Sequence, residues 1–271
     1  MPADSLRKES ESIYLLREAF HAFPKMAMLW SIGKDSTVLL WLARKAFLGR
    51  VPFPLIHIDT TFKIPEMIAW RDRIAHEWQL DLIVAKNDAA LAAGRTFPAG
   101  AATRVECCTA LKTDALQQVV EARGFQALIV GVRRDEDATR AKERMVSPRG
   151  VDMQWNVVDQ PPEFWDQFRT DVPAGTHMRI HPLLHWTELD IWRYIQQEAI
   201  PVVPLYVDRG NGQRYRSLGC GPCTATIQST AKTVDEIIRE LEMTKVAERS
   251  LRAQDQESEG AFEQLRRDGY M

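Results

Sequence analysis

Five apolar residues, Met26-Ala27-Met28-Leu29-Trp30, run straight into the polar turn Ser31-Ile32-Gly33-Lys34-Asp35-Ser36, and this junction constrains the chain more than any other stretch. The apolar run predicts a buried strand. Residues 36–47 predict a helix, because Val38, Leu39, Leu42, Ala43 and Ala46 fall on one helical face. The backbone N–H groups that open a helix have no partner inside it, and the helix dipole is positive at that end. A glycine lets backbone approach a ligand closely, while two serine hydroxyls and a lysine add donors. A strand, turn and helix of this composition predict an anion site, with phosphate the foremost ligand.

The turn lacks the Gly-x-x-x-x-Gly-Lys-Ser/Thr spacing of a Walker loop, and its single glycine makes no dinucleotide fingerprint. Ser-x-Gly-x-Asp-Ser resembles instead the PP-loop of the ATP pyrophosphatases, which cleave ATP between its α- and β-phosphates. An ordinary strand-to-helix turn capped by Ser31 or Asp35 is the alternative.

Further along, the pattern predicts an amphipathic helix over 10–23, a strand at 54–59, a helix over 65–79 and a strand at 80–85. An irregular Ala/Gly/Pro-rich loop over 91–104, a helix over 108–123 ended by Gly124, and a strand at 127–131 follow. Residues 141–176 read as a long polar loop, 180–184 as a strand, 187–198 as a helix capped by Thr187, and 233–249 as a last clear helix. Alternating strands and helices predict the α/β class: a mostly parallel twisted sheet with helices on both faces, here of PP-loop type, plus a C-terminal helical segment. Two units are expected, an ATP-binding α/β domain over 1–209 and an extension over 210–271. Ligands of such sheets sit beyond the carboxyl ends of the strands, so the turns 31–36, 59–63 and 131–140 should converge on one crevice.

Composition removes several classes. A net charge of −2 over 271 residues gives no global sign of a nucleic-acid or membrane surface. No apolar run nears the roughly 20 residues needed to span a bilayer, and the polar start is unlike a signal peptide. The expected address is the cytoplasm, so the four cysteines read as metal ligands or reactive thiols rather than disulfides.

Two further clusters carry chemistry. The run Gly131-Val132-Arg133-Arg134-Asp135-Glu136, followed by Arg140, Lys142, Glu143 and Arg144, puts a glycine and several guanidiniums after a strand. Arginine suits bidentate contact with phosphate or sulfate, although mixed charge of this kind also describes a solvated helix face. At the end of the second strand stand His57, Asp59 and Thr60. Asp59 is a candidate for ribose or metal, and His57 reads equally well as a core histidine.

The loop 31–36, the string His57-Ile58-Asp59-Thr60, the block from Arg134 to Arg144, Trp186-Thr187-Glu188-Leu189-Asp190-Ile191-Trp192 and Arg216-Ser217-Leu218-Gly219-Cys220 occur in one order. Together they resemble the family of small, ATP-using subunits of bacterial sulfate adenylyltransferase, within the phosphoadenosine-phosphosulfate reductase superfamily. The resemblance runs from about residue 10 to the end. It implies formation of adenosine 5′-phosphosulfate and pyrophosphate from ATP and sulfate, with a separate GTPase large subunit as partner; a homo-oligomer is compatible with it, and Mg²⁺ is expected on the carboxylates Asp135 and Glu136, whose alternative role is to fix the neighbouring arginines. By the resemblance, Ser31, Gly33, Asp35 and Ser36 cradle pyrophosphate. His57, Asp59 and Gly131 belong to the nucleotide side, while Lys34, Asp35, Arg134, Arg140, Lys142 and Arg144 serve the reacting phosphate and oxyanion.

The cysteines depart from that family. Cys107-Cys108 and Cys220-Gly221-Pro222-Cys223 resemble the [4Fe–4S] ligand pattern of adenylyl-sulfate reductases. Zinc, or four plain reduced thiols, are the alternatives. The reductase's C-terminal Glu-Cys-Gly-x-His segment is missing, since no cysteine follows Cys223. Three readings therefore stand: a sulfate adenylyltransferase subunit that also carries a cluster, an iron–sulfur ATP pyrophosphatase acting in sulfur transfer or on another acceptor, and a nucleotide-binding iron–sulfur sensor without turnover.

Overall fold

The structure is a computed structural model and describes residues 3–158, 160–244, 246, 248 and 260–270. Strands β1 (Met26–Leu29), β2 (Leu55–Ile58), β3 (Leu82–Ala85), β4 (Ala127–Ile129), β5 (Val146–Arg149) and β6 (His177–Ile180) form one sheet in the order β3-β2-β1-β4-β6-β5. All neighbours pair in parallel except β5, which runs antiparallel to β6 at the edge. Pro148 sits within β5, where an edge position tolerates its missing N–H.

Helix α1 (Ala3–Ala22) packs on α2 (Lys34–Ala46), and α2 places Val38, Leu39, Leu42 and Ala43 at 0 % exposure in the main hydrophobic core. The second core lies on the other face of the sheet, around Leu116, Leu128 and Leu184. Helices α3 (Pro65–Glu77) and α4 (Asp88–Ala92) follow β2 and β3. Residues 104–123 are helical throughout: α5 (Arg104–Cys108), a π-helical turn at Thr109–Thr113, then α6 (Asp114–Arg123), ended by Gly124 in the left-handed region. The helix therefore starts four residues before the expected Cys108, because Thr103 and Glu106 form a reciprocal capping box. The π-turn begins directly after the paired cysteines, a placement common at functional sites.

Helix α7 (Glu188–Glu198) starts where expected, with Thr187 and Asp190 forming a second capping box. Beyond it lie a small hairpin of β7 (Gln213–Arg214) and β8 (Ile227–Gln228), helix α8 (Val234–Met243) and helix α9 (Ala261–Arg267). Of the helix expected over 233–249, α8 accounts for the first part; residues 245, 247 and 249–259 lie outside the described residues.

Two expectations are corrected. The strand placed at 180–184 lies at His177–Ile180 instead. His177 and Arg179 interrupt the apolar pattern, yet both are buried, and Arg179 donates to the carbonyls of Gly269 and Tyr270 at 2.6 and 3.1 Å. The long polar loop 141–176 contains the edge strand β5, whose polar sequence hides its pairing with β6. Among the described residues no helix is long and apolar enough to cross a membrane.

Candidate active site

The sheet order reverses between β1 and β4: the chain runs β1-β2-β3 to one side and resumes with β4 on the other. This is the switch point at which open α/β sheets bind ligands, and both flanking strands open into the conspicuous polar turns. A pocket of about 140 Å³ lies there, lined by residues that include Ser31, Gly33, Lys34, Asp35, Ser36, Gly131 and Arg140.

The loop after β1 is held rigidly. Ile32 is buried with φ at 71°, a left-handed conformation that a β-branched residue rarely adopts and that stores about 1–3 kcal/mol. The Ser31 and Ser36 hydroxyls lie 3.1 Å apart, and Ser36 also donates to the Gly33 carbonyl at 3.1 Å. Gly33 precedes α2 without any side-chain cap on the helix. The Lys34 N–H donates to Tyr206 Oη at 2.8 Å, and Tyr206 stands edge-on to Trp192. Across the pocket, a Cβ added to Gly131 would lie 3.3 Å from Ser36 N and 3.4 Å from Asp35 C. Only glycine brings the end of β4 this close to the opening turn of α2.

Charge is concentrated behind this loop. Lys34 is 1 % exposed and its ammonium meets Asp35 at 3.1 Å and the Glu248 carboxylate. Arg133, fully buried, pairs with Asp35, with Asp135 at 2.9 Å and with Glu248 at 2.6 Å. Burial alone would lower its pKa; Glu248, Glu136 and Asp135 together raise it. Arg140 pairs with Glu136.

The other expected residues are placed differently. Arg134 turns away to His185 at 2.9 Å and to the Glu143 carbonyl at 3.0 Å. Lys142 is half exposed and pairs with Glu263 at 3.0 Å, while neither it nor Arg134 nor Arg144 lines the pocket. His57 is wholly buried and shares a hydrogen bond with the Trp30 carbonyl at 3.0 Å; burial, then Lys63, lowers its pKa to about 3. Asp59 accepts from the Thr61 N–H at 2.8 Å and faces Lys86 and Arg71. Neither lines the pocket.

Arg133, Tyr206 and Glu248 were not singled out in the sequence. Arg133 parts from Arg134 through the backbone: Arg133 is extended, whereas Arg134 opens the 3₁₀ turn Arg134–Glu136. For Tyr206 and Glu248 no local signal exists.

The thiols gather beside the same pocket. Cys220 forms a bridge with Lys63 and lies 3.1 Å from the Thr60 hydroxyl. Lys112, a wall of the pocket, donates to Cys108 Sγ at 3.2 Å and to Tyr270 Oη at 3.2 Å. Burial, then the neighbouring Cys108, raises the Cys107 thiol; burial, then Cys108 and Cys220, raises Cys223. All four are unoxidised. Among the described residues no three His, Cys, Asp or Glu side chains are arranged as a ready metal site.

The phosphoadenosine phosphosulfate reductase domain family matches residues 25–226. The chain belongs to that family. Within it, the chain is 44 % identical to sulfate adenylyltransferase subunit 2 of Rhizobium tropici, over 97 % of this chain and 91 % of that protein. The subunit 2 of Colwellia psychrerythraea is 42 % identical, with 97 % of each chain covered. Among solved structures, phosphoadenylyl-sulfate reductase from Candida auris superposes with a TM-score of 0.57 at 20 % identity, covering 79 % of this chain and 90 % of that one. The Candida glabrata FMN adenylyltransferase in complex with ATP gives 0.55 at 17 % identity, covering 80 % and 62 %. These two likenesses concern the fold alone.

Proposed function

We propose that this chain is a nucleotidyltransferase that passes the adenylyl group of ATP to sulfate, forming adenosine 5′-phosphosulfate and pyrophosphate. The observation that carries the reading is the pocket at the switch point, built from the loop 31–36 against Gly131, in a chain similar along its whole length to sulfate adenylyltransferase subunit 2.

A sulfate oxygen attacks the α-phosphorus in line and pyrophosphate leaves. Sulfate is already an anion at neutral pH and needs no general base. The protein's task is to position the reactants and neutralise charge. On this reading the Ser31 and Ser36 hydroxyls and the opening turn of α2 receive the departing pyrophosphate. Gly131 would lie against the nucleotide, and Arg140, which lines the pocket as Arg134, Lys142 and Arg144 do not, would meet the oxyanion. Mg²⁺ arrives with the triphosphate, which binds it with few protein carboxylates. The name of the relatives, a second subunit, favours a large partner subunit, proposed here to be the GTPase whose hydrolysis drives the uphill step.

The clustered thiols favour one addition. Cys107 and Cys223 each lie within electrostatic reach of Cys108 and Cys220, and four soft thiol donors are the kind of set that would hold a [4Fe–4S] cluster. When bound, such a group would supply an electron or sulfur site beside the nucleotide.

Pyrophosphate release from ATP that depends on added sulfate, assayed with the GTPase partner and GTP, tests the transfer. Release that ignores sulfate but responds to another acceptor would overturn the choice of acceptor. Iron and acid-labile sulfide assays on protein purified without oxygen test the cluster; a colourless, iron-free, folded protein would refute it.

A further inference from the structure

A second cavity, of about 390 Å³, lies at the end of the sheet opposite the nucleotide pocket. Its floor is at the amino ends of two neighbouring strands, where Gln126 leads into β4 and His177 opens β6. The nucleotide pocket sits beyond the carboxyl ends, and no described residue lines both. Val120 on α6, Phe125 just after it, Met153, and Val172 and Pro173 in the loop before β6 give the second cavity apolar walls. Its size falls within the roughly 300–1,000 Å³ of ordinary small-molecule sites, which pair such walls with a few polar groups.

His177 supplies the polar point. It lines the cavity, is 3 % exposed, and its Nε2 is buried without a hydrogen-bond partner. Buried polar atoms are ordinarily paired, so an unpaired one on a cavity wall marks where a ligand atom would bond. The charge behind it is positive. Arg149 of β5 stands directly opposite His177 in the ladder, and Arg179 lies two residues along β6 on the same face. Glu143 pairs with Arg149, whereas Arg179 donates to the carbonyls of Gly269 and Tyr270. Burial, then Arg179, then Arg149, lowers the His177 pKa to about 2, so the ring is neutral and sits in the field of two cations. At the mouth, Lys25 Nζ lies 3.6 Å from a Cβ built on Gly124. Glu121 is the one carboxylate among the lining residues and accepts from Gln117 at 2.8 Å; Asp171, beside the loop, is held by Arg169.

We propose that this cavity is a second ligand site, taking a small monocarboxylate whose oxygen accepts from His177 and whose apolar body lies against Val120, Phe125 and Val172. An anion is favoured over a neutral or cationic ligand of the same shape. Its oxygen meets a ring that can donate one N–H, with two buried guanidiniums behind the ring and a lysine at the mouth. The site is independent of the nucleotide reading, because every residue it uses lies at the other end of the sheet.

The test titrates benzoate, with benzyl alcohol and benzylamine as neutral and cationic shapes, into the full chain and follows the ring ¹⁵N signals of its six histidines by NMR. The site predicts a shift of the His177 ring nitrogens with roughly millimolar affinity, as suits a ligand of so few atoms. The alcohol and the amine should bind at least about fivefold more weakly. H177F keeps a ring, loses the donor and should weaken benzoate about tenfold. V172W fills the cavity from the loop and should abolish the shift; it keeps His177, so it decides the matter even where H177F fails to fold. A shift in V172W equal to that of wild type, or equal benzoate affinity in H177F, would overturn the site. Benzyl alcohol binding as tightly as benzoate would overturn the choice of an anion. A His177 signal that no probe moves would mean that water alone satisfies Nε2, and would overturn the proposal.

Discussion

Replacing Glu143 by Gln should unfold the protein far below its normal temperature while leaving the nucleotide loop chemically intact. Glu143 is 1 % exposed and its carboxylate pairs with two buried guanidiniums, Arg149 at 2.9 Å and Arg266. Its backbone carbonyl also receives Arg134. Burial by itself would raise this carboxyl; Arg149, His181 and Arg266 hold it well below the ordinary value of 4.5. Gln retains the shape and removes the charge, depriving both buried guanidiniums of the carboxylate they pair with. Breaking a buried pair in this way costs about 3–5 kcal/mol. For a chain of this size that is a fall in Tm of roughly 6–20 °C. The sign with pH follows from the depressed value: the stabilisation is complete above about pH 4.5 and fades as the pH falls below it. Thermal unfolding of wild type and E143Q, at pH 7 and near pH 3.5, reads both effects. A Tm change under about 2 °C at pH 7, or a gap between the proteins that widens in acid, would refute the reasoning.

Gly131→Ala should press on the backbone of Asp35 and Ser36, where a Cβ finds 3.3–3.4 Å, and weaken ATP binding about tenfold or more with little loss of Tm; calorimetric affinity equal to wild type would detach Gly131 from the site. His57 and His181 are buried and neutral, with pKa lowered to about 3 and about 4, chiefly by burial. Stability should therefore decline from pH 6.5 toward pH 5, by at most about 1.4 kcal/mol per pH unit for each ring, and H57N should flatten the decline in urea midpoints. Thr187→Ala removes the side-chain acceptor of the Asp190 N–H at the start of α7 and should cost about 0.5–2 kcal/mol in thermal unfolding.

What could be read in the chain was local. The buried run 26–30 and the turn after it gave the strand, the loop and α2, because apolar periodicity and unpaired helix-start N–H groups depend only on neighbours. Thr187 with Asp190 announced the start of α7 for the same reason. Strand β5 was hidden because an edge strand can be polar, and β6 was displaced because His177 and Arg179 are buried through partners far away in sequence.

By itself the sequence determined that a polar, glycine-containing turn joins a buried strand to a helix in an alternating α/β chain, since each of those signals is carried within a dozen residues. Tertiary structure alone decided which charges serve that turn. Of the adjacent pair it aimed Arg133 inward and Arg134 outward, where an extended residue gives way to the 3₁₀ turn Arg134–Glu136. It gathered two cysteine pairs more than a hundred residues apart beside Lys112. And it brought Glu248 to Lys34 across 214 positions, a contact with no local signature because burial against a distant partner, rather than spacing, makes it favourable.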